Sequence, residues 1–357
     1  MKPQKVWIYV TNACNAKCFF CLPNSLRKGQ DELSKNEVIN LIREFARIGV
    51  KRIALTGGEP TLRDDLFEFI KVGAKLGIRM YVETNGDIGK DYIFRMKESG
   101  LSVLNLSLDG SSAEMHDEIR GIAGLFNKNL NAIRYASKTG LDVRVYSTVS
   151  MRNIESVIKI PDLFLNLKFQ RRVRVLTFAP FMPVGRGALY KDLVVPPNIW
   201  KKFCDELEKK RRHYKNIVPI RYEPIMVSRK MVKKLKILYD GKDIFCLARD
   251  KTYMYVSSTG QVFGCVLSVG SQFTLGNIRE STIQSLWLNS QGWNIFGSTT
   301  CTACALRMKD FSSSIANFVN RHHGRLTLIC PLILYPKIEP WPYEEEYRQT
   351  RNTEKRK

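Results

Sequence analysis

The sequence has no long apolar run. Over its 357 residues nothing approaches the about 18 consecutive apolar residues that a membrane span requires, and the longest candidate, Leu326 to Tyr335, is interrupted by Pro331. The chain is therefore not expected to cross a membrane. It also lacks the apolar core of an export signal, because Met-Lys-Pro-Gln-Lys leads into a short run from Val6 to Val10 and cysteines follow at once. A cytoplasmic address is expected. Histidine is scarce, with four in the chain and His116 the first of them. Acidic residues are few as well, 34 against 57 lysines and arginines, for a net charge of +23. No repeat or low-complexity tract is visible. With 44% hydrophobic residues the chain has the apolar material for a core, which excludes an intrinsically disordered protein. Its nine cysteines are an odd number without an export signal, which argues against a disulfide framework and for metal or redox chemistry.

In the first half, short β-rich runs alternate with helical patterns, the rhythm of a parallel sheet covered by helices. The expected strands are Val6 to Val10, Arg52 to Leu55, Arg79 to Glu83, Val103 to Leu108, Val143 to Val149 and Arg172 to Phe178. Helices are expected over Ser34 to Ile48, Asp65 to Leu76 and Asn127 to Lys138. The first has Ser34 and Glu37 spaced as a capping box and Gly49 as a stop signal. Six such strands suit an open (β/α)6 barrel, although periodicity alone reads the same for a doubly wound sheet. After Pro180 a crowd of prolines and glycines marks a boundary. Two basic amphipathic helices are expected next, one with Trp200, Phe203, Cys204 and Leu207 on one face, the other with Val227, Met231, Leu235 and Leu238. Strands at Tyr253 to Ser257 and Gln261 to Val266 suggest a small hairpin-containing domain. The charged tail after Tyr343 reads as disordered.

Cys14, Cys18 and Cys21 stand as C-x3-C-x2-C directly after the first strand. Three soft thiolates on one tight loop can hold three corners of a [4Fe–4S] cube and leave one iron open to an exogenous ligand. A zinc site would need a fourth protein ligand nearby. This motif, with Thr56-Gly57-Gly58-Glu59-Pro60 after the second strand, resembles the radical S-adenosylmethionine (SAM) enzymes. The resemblance covers about residues 5 to 190. It implies a partial (β/α)6 barrel of the TIM type in an α/β fold, a SAM-binding [4Fe–4S] cluster, and backbone approach of Gly57 and Gly58 to the SAM amino group, with Glu59 beside that ammonium. Glu83-Thr84-Asn85-Gly86 and Asn105-Leu106-Ser107-Leu108-Asp109-Gly110 are similar to segments that reach SAM, which nominates Asn85, Ser107 and Asp109. Arg120, in His116-Asp117-Glu118-Ile119-Arg120-Gly121, is nominated for the SAM carboxylate and Phe20 for the adenine. Asn153 and Pro183-Val184-Gly185-Arg186-Gly187 match late barrel segments. These motifs name ligands and SAM contacts, not a catalytic acid or base.

Cys246 is followed by thirteen residues, Gly260, four more residues and Cys265, and then by Cys301-Thr-Ala-Cys304. This resembles the SPASM/Twitch extension of radical SAM proteins. The full SPASM pattern would place cysteines at 310 and 314, where this chain has Asp310 and Ser314. One auxiliary [4Fe–4S] cluster on Cys246, Cys265, Cys301 and Cys304 is therefore expected, with a structural zinc on the same four thiolates as the alternative. Cys204 and Cys330 are read as thiols outside the clusters. The resulting division is a barrel over 1–190, a basic helical linker over 191–242, an auxiliary-cluster domain over 243–335 and a charged tail over 336–357.

From Pro196 to Asp240 there are thirteen lysines and arginines against five acidic residues, a net of +8. Such a stretch can meet an anionic substrate, lie peripherally on a lipid surface or simply be solvated. The expected function is hydrogen abstraction, after reductive SAM cleavage, from a small anionic cofactor precursor or a membrane-surface lipid. A reductant such as ferredoxin or flavodoxin would serve as partner. Two rival readings are a peptide-modifying SPASM maturase, disfavoured by the thirteen residues ahead of Cys14, and a non-catalytic iron–sulfur or zinc protein that binds nucleic acid. No nucleic-acid module is recognisable, so a nucleic-acid partner is not expected.

Overall fold

Successive strands carry apolar residues at every second position, and in the folded chain these residues build the layer between sheet and helices. The computed structural model describes residues 2–169, 172–214, 219–222, 226–228, 244–245, 251, 253–270, 274–288, 293 and 326–329. Six parallel strands come first: β1 (Lys5–Thr11), β2 (Arg52–Gly57), β3 (Arg79–Thr84), β4 (Val103–Ser107), β5 (Asp142–Val149) and β6 (Val175–Pro180). Between them run α1 (Lys35–Arg47), α2 (Leu66–Lys75), α3 (Lys90–Glu98), α4 (Ala113–Arg120), α5 (Leu125–Lys138), α6 (Ile154–Val157) and α7 (Ile160–Asn166). Each of β1 to β6 pairs with its neighbour in sequence. That order is singly wound, as in a partial barrel, and excludes the doubly wound sheet, whose strand order reverses at a switch point.

Period-two alternation sends Val6, Ile8 and Val10 of β1, Ile53 and Leu55 of β2, and Met80 and Val82 of β3 into the buried core with Phe45 and Phe69 of the helices. Apart from Ala54, the alternate residues are polar or aromatic and face the concave side, where Trp7 Nε1 donates to Glu83 at 2.9 Å and the Trp7 ring stacks on Tyr255 at 4.9 Å. The barrel interior is thus built for contents other than a packed apolar plug.

The capping box of α1 forms as expected: Ser34 Oγ accepts from Glu37 N at 3.3 Å and Ser34 N donates to Glu37 Oε2 at 2.8 Å. Helix α5 begins two residues earlier than the periodicity indicates. Its first amides are capped from a distance, Asp117 accepting from Gly124 N at 2.6 Å and Phe126 N at 2.7 Å. Strand β6 runs from Val175 to Pro180, later than the expected Arg172 to Phe178, because Arg172 N bonds back to Phe169 O in a turn.

The sheet continues beyond β6. Strand β7 (Ile220–Tyr222) adds to its edge, and α8 (Pro197–His213) packs Trp200, Phe203 and Leu207 into the core, with Phe203 against Phe178 at 6.1 Å. Cys204 is half-buried beside them. The second helix expected around Val227 is not formed there. Val227 lies in a strand, β8 (Met226–Ser228), opposite Thr327 of β13 (Leu326–Ile329), whose other neighbour is β9 (Ile244–Phe245). Short apolar runs suit either element, and a partner about a hundred residues on decides for the strand. Met231, Leu235 and Leu238 lie outside the described residues, as does the tail after Tyr343.

On the other edge, β10 (Tyr253–Val256) pairs in parallel with β1, and β11 (Gln261–Phe263) and β12 (Gly276–Asn277) follow as an antiparallel hairpin and edge. This C-terminal piece is fastened to α1. Arg279 Nε donates to Glu37 Oε1 at 2.6 Å, Ile283 N to Glu44 Oε1 at 2.7 Å and Leu33 N to Ser258 O at 2.7 Å. The Arg279 bond, with the Ser34 cap, holds the Glu37 carboxyl down at about 2. No helix among the described residues is long and apolar enough to cross a membrane.

Candidate active site

The loop after β1 carries the three cysteines at the C-terminal end of the strands, where barrel enzymes place their chemistry. The Glu32 carboxylate folds it back, accepting from Asn12 N at 2.7 Å, Gly29 N at 2.8 Å and Thr11 Oγ1 at 2.9 Å. Cys18 is buried and Cys14 and Cys21 are half-buried. Each sulfur has a donor: Ala16 N lies 3.4 Å from Cys14 Sγ, Ser25 N 3.2 Å from Cys21 Sγ and Arg120 Nη1 3.6 Å from Cys18 Sγ. Burial pushes the Cys14 thiol up to about 11, so metal binding must displace protons here. Among the described residues no three Cys, His, Asp or Glu side chains converge on a single metal ion. Three thiols spread along one loop and supplied with N–H donors fit the donor chemistry of a cube, in which each cysteine binds a different iron.

The Gly57-Gly58-Glu59 segment runs under this loop. A Cβ on Gly57, whose φ is +140°, would sit 2.3 Å from Thr11 O, and one on Gly58 would sit 2.1 Å from Ala13 O. Gly58 N and Glu59 N donate to those same two carbonyls at 2.8 Å. The glycines thus make their close approach to the cysteine loop itself. Glu59 is buried, and its carboxylate collects four donors: Thr61 N at 3.1 Å, Thr61 Oγ1 at 2.7 Å, Thr84 Oγ1 at 2.7 Å and Asn85 N at 2.8 Å. Burial raises its pKa against the pull of those donors. The side chain nominated for the SAM ammonium is therefore a hub that joins the ends of β2 and β3.

Asn85 is buried and spans from β3 to the cluster loop, its Nδ2 donating to Asn15 Oδ1 at 2.7 Å. Ser107 is half-buried at the end of β4. Asp109 is fully buried and accepts from Arg120 Nε at 2.6 Å and Thr148 N at 2.8 Å. Arg120 also covers the Phe20 ring, 5.2 Å from its centroid. Burial opposes the Arg120 charge, but Asp109 and Cys18 outweigh it and hold the guanidinium protonated. Asn153 fixes the loop after β5, donating to Asp109 O at 3.0 Å and Thr148 O at 2.8 Å.

Other groups at this end carry no assigned SAM or cluster contact. Arg186 is the largest: its guanidinium donates to Cys18 O at 2.9 Å, Ser25 O at 2.8 Å and Asn24 Oδ1 at 3.0 Å, and its N–H to Cys21 O at 3.0 Å. Beside it Gly185, at φ +59°, passes so close to Leu22 O that a Cβ would lie at 1.9 Å. The Pro183 to Gly187 segment is a clamp on the cysteine loop. Asn129, from α5, donates to Asn85 O at 2.7 Å next to His116.

His116 gives a testable pH dependence. Its ring is buried, and burial first and the Arg120 charge second push its pKa down to about 3. Nδ1 accepts from Asp109 N at 3.0 Å, a bond that only an unprotonated nitrogen makes. In the unfolded chain the ring would titrate at about 6.5. The unfolded state thus binds a proton before the folded state does, so the stability is complete above about pH 6.5 and is lost as the pH falls below it. Acidification from pH 7 to pH 5 should cost about 2 kcal/mol, read as a lower apparent melting point. A His116→Gln variant should lack that part of the decline, and identical slopes in both proteins would contradict the assignment.

Of the second cysteine set, Cys265 is buried just after β11. Cys246, Cys301, Cys304 and Cys330 lie outside the described residues, as do Asp310 and Ser314.

A singly wound parallel barrel with three thiols on its first loop defines the class, an iron–sulfur enzyme working at the C-terminal mouth of the strands. Residues 8–163 match the family model of the radical SAM superfamily, and residues 246–305 match that of SPASM, an iron–sulfur cluster-binding domain. The chain belongs to the radical SAM superfamily and carries a SPASM domain. It is a radical SAM enzyme, with a SAM-binding [4Fe–4S] cluster and auxiliary iron–sulfur binding. The AdoMet-dependent heme synthase of Methanosarcina barkeri is 29% identical over 302 residues, 81% of this chain and 83% of that one. A probable GTP 3',8-cyclase of Saccharolobus islandicus is 29% identical over 260 residues, 68% of this chain and 82% of that one. Among solved structures, SuiB of Streptococcus suis bound to S-adenosylmethionine superposes with a TM-score of 0.67 at 17% identity, covering 83% of this chain and 68% of SuiB. Native anSMEcpe with bound AdoMet gives 0.63 at 21% identity, covering 82% of this chain and 83% of that one. At those identities the likeness shows the fold.

Proposed function

We propose that this enzyme abstracts hydrogen from a small anionic cofactor precursor held inside the barrel. When bound, the cluster and SAM supply the 5′-deoxyadenosyl radical. The chain's own residues hold the cysteine loop, through Glu32, Arg186 and the Gly57-Gly58 crossing, and keep the reacting end away from water. Cys14, Cys18 and Cys21 would hold the cluster. Asn85, Ser107 and the backbone of Gly57 and Gly58 would border the SAM site at the strand ends, with Phe20 beside it.

The observation that carries the substrate class is the chemistry of the concave face. At the N-terminal half of the strands a cavity is lined by Lys5, Arg52, Arg144, Arg221, Tyr81 and Tyr253, and among the described residues no acidic side chain joins its lining. Two of these cations have carboxylate neighbours, Asp142 at 2.9 Å from Arg144 and Glu83 at 3.9 Å from Lys5. A lumen of cations and tyrosines favours an aromatic or conjugated ligand that carries carboxylates or phosphates. The relatives named as heme synthase and GTP 3',8-cyclase, both concerned with anionic ring compounds, support the same class.

The lipid alternative draws less support. The apolar stripe of α8 is spent on the barrel, and three of its lysines face carboxylates: Lys201 lies 2.6 Å from Asp205, Lys209 3.2 Å from Glu206 and Lys210 2.8 Å from Asp162. The test is anaerobic turnover of the reduced enzyme with SAM in the presence of iron coproporphyrin III, GTP or anionic vesicles. Formation of 5′-deoxyadenosine should rise above the substrate-free rate with one of the two soluble probes. Stimulation by vesicles alone would contradict the proposal.

A further inference from the structure

We propose that Arg120, held by Asp109, is a positioning residue for the cluster at Cys18 and sets its reduction potential, rather than a ligand of the SAM carboxylate. Each of the three guanidinium nitrogens has a partner. Nε and Nη2 reach Asp109 Oδ2 at 2.6 Å and 2.5 Å, Nη1 points at Cys18 Sγ at 3.6 Å, and the Phe20 ring lies beneath it. The backbone joins in, because Arg120 O accepts from Lys17 N at 2.8 Å. The residue before Cys18 and the sulfur of Cys18 are thus gripped by one arginine, main chain and side chain together.

Its partner is fixed from the other side. Thr148 N donates to Asp109 Oδ1, and Asp109 N donates to the His116 ring at 3.0 Å. The planar fork serves the carboxylate from Nε and Nη2 and the sulfur from Nη1, a spread that the single ammonium of a lysine does not reproduce. Hydrogen bonds and charge at the ligating sulfur are among the features that tune an iron–sulfur potential. Arg120 stands nearer the sulfur than Asp109 does, so the two charges act on it with opposite sign and unequal strength in a water-poor site.

The proposal rests on Cys14, Cys18 and Cys21 ligating one cluster, which iron content in their alanine variant tests separately. The experiment is a redox titration of the reconstituted full chain, followed by the electron paramagnetic resonance signal that is lost when those three cysteines are replaced. Arg120→Gln leaves Asp109 uncompensated and should lower the reduced fraction at a given ambient potential about tenfold, equivalent to about 59 mV for one electron. Asp109→Asn leaves the arginine uncompensated and should shift the potential the opposite way. Arg120→Lys keeps the charge but not the fork and should move it in the same direction as Arg120→Gln, by less. If Arg120→Gln fails to hold iron, the other two variants decide by the same signs. Unmoved potentials, or shifts of one sign for Arg120→Gln and Asp109→Asn, would overturn the proposal. Weakened SAM binding at an unchanged potential would return Arg120 to the SAM carboxylate.

Discussion

Replacing Cys14, Cys18 and Cys21 together with alanine removes about half of the iron from the anaerobically reconstituted protein and all of its SAM cleavage. The expectation follows from two separate thiol sets. Two cubes would hold about eight irons, and the first set would hold one of them. The fold should survive the change, because the loop is also held by Glu32, Arg186 and the carbonyls that accept from Gly58 and Glu59. Iron content, measured with protein concentration and circular dichroism, checks this. Full retention of iron would remove the first loop from the account. Loss of all iron would mean that the two sites depend on one another.

Glu59→Ala is the second variant with a large expected effect. It leaves Thr61 N, Thr84 Oγ1 and Asn85 N without their acceptor in a buried place. Each unsatisfied buried group costs about 1–3 kcal/mol, so a loss of roughly 3–5 kcal/mol is expected. At this chain length that is a fall in melting point of roughly 4–7 °C. Asn85 would be displaced as well, and SAM affinity should fall with it. Glu59→Gln should be milder for stability, since the Thr61 and Thr84 hydroxyls can rotate to accept from the new amide and only one backbone N–H, that of Thr61 or Asn85, loses its acceptor. Thermal melts and SAM binding isotherms on both variants decide the matter. If Glu59→Gln abolishes SAM binding while keeping the melting point, the carboxylate itself contacts SAM and the hub is secondary.

Much of this architecture is legible in the sequence because it rests on local rules. Period two marks β1 to β5 within a residue or two, and the Ser34 and Glu37 spacing marks the start of α1. The three cysteines announce their loop by spacing, and the Gly57-Gly58-Glu59 motif is read through the resemblance to radical SAM enzymes. What the motifs do not reveal is whom their side chains face. Glu59 meets Thr84 and Asn85 across 25 and 26 positions, and Arg120 meets Cys18 across 102. Arg186 closes on the cysteine loop across more than 160. Such pairings depend on barrel closure, which no local pattern encodes. The same holds for β10 beside β1 and for Val227, whose helical spacing yields to a distant strand partner.

The central claim is that Cys14, Cys18 and Cys21 form the centre at which SAM is cleaved. It is tested most directly by incubating the reconstituted protein anaerobically with SAM and dithionite and measuring 5′-deoxyadenosine and methionine, beside the triple alanine variant. Both products are expected in equal amounts from the unaltered protein and neither from the variant. Equal product from the two proteins, or none from the unaltered protein with its iron in place, would contradict it.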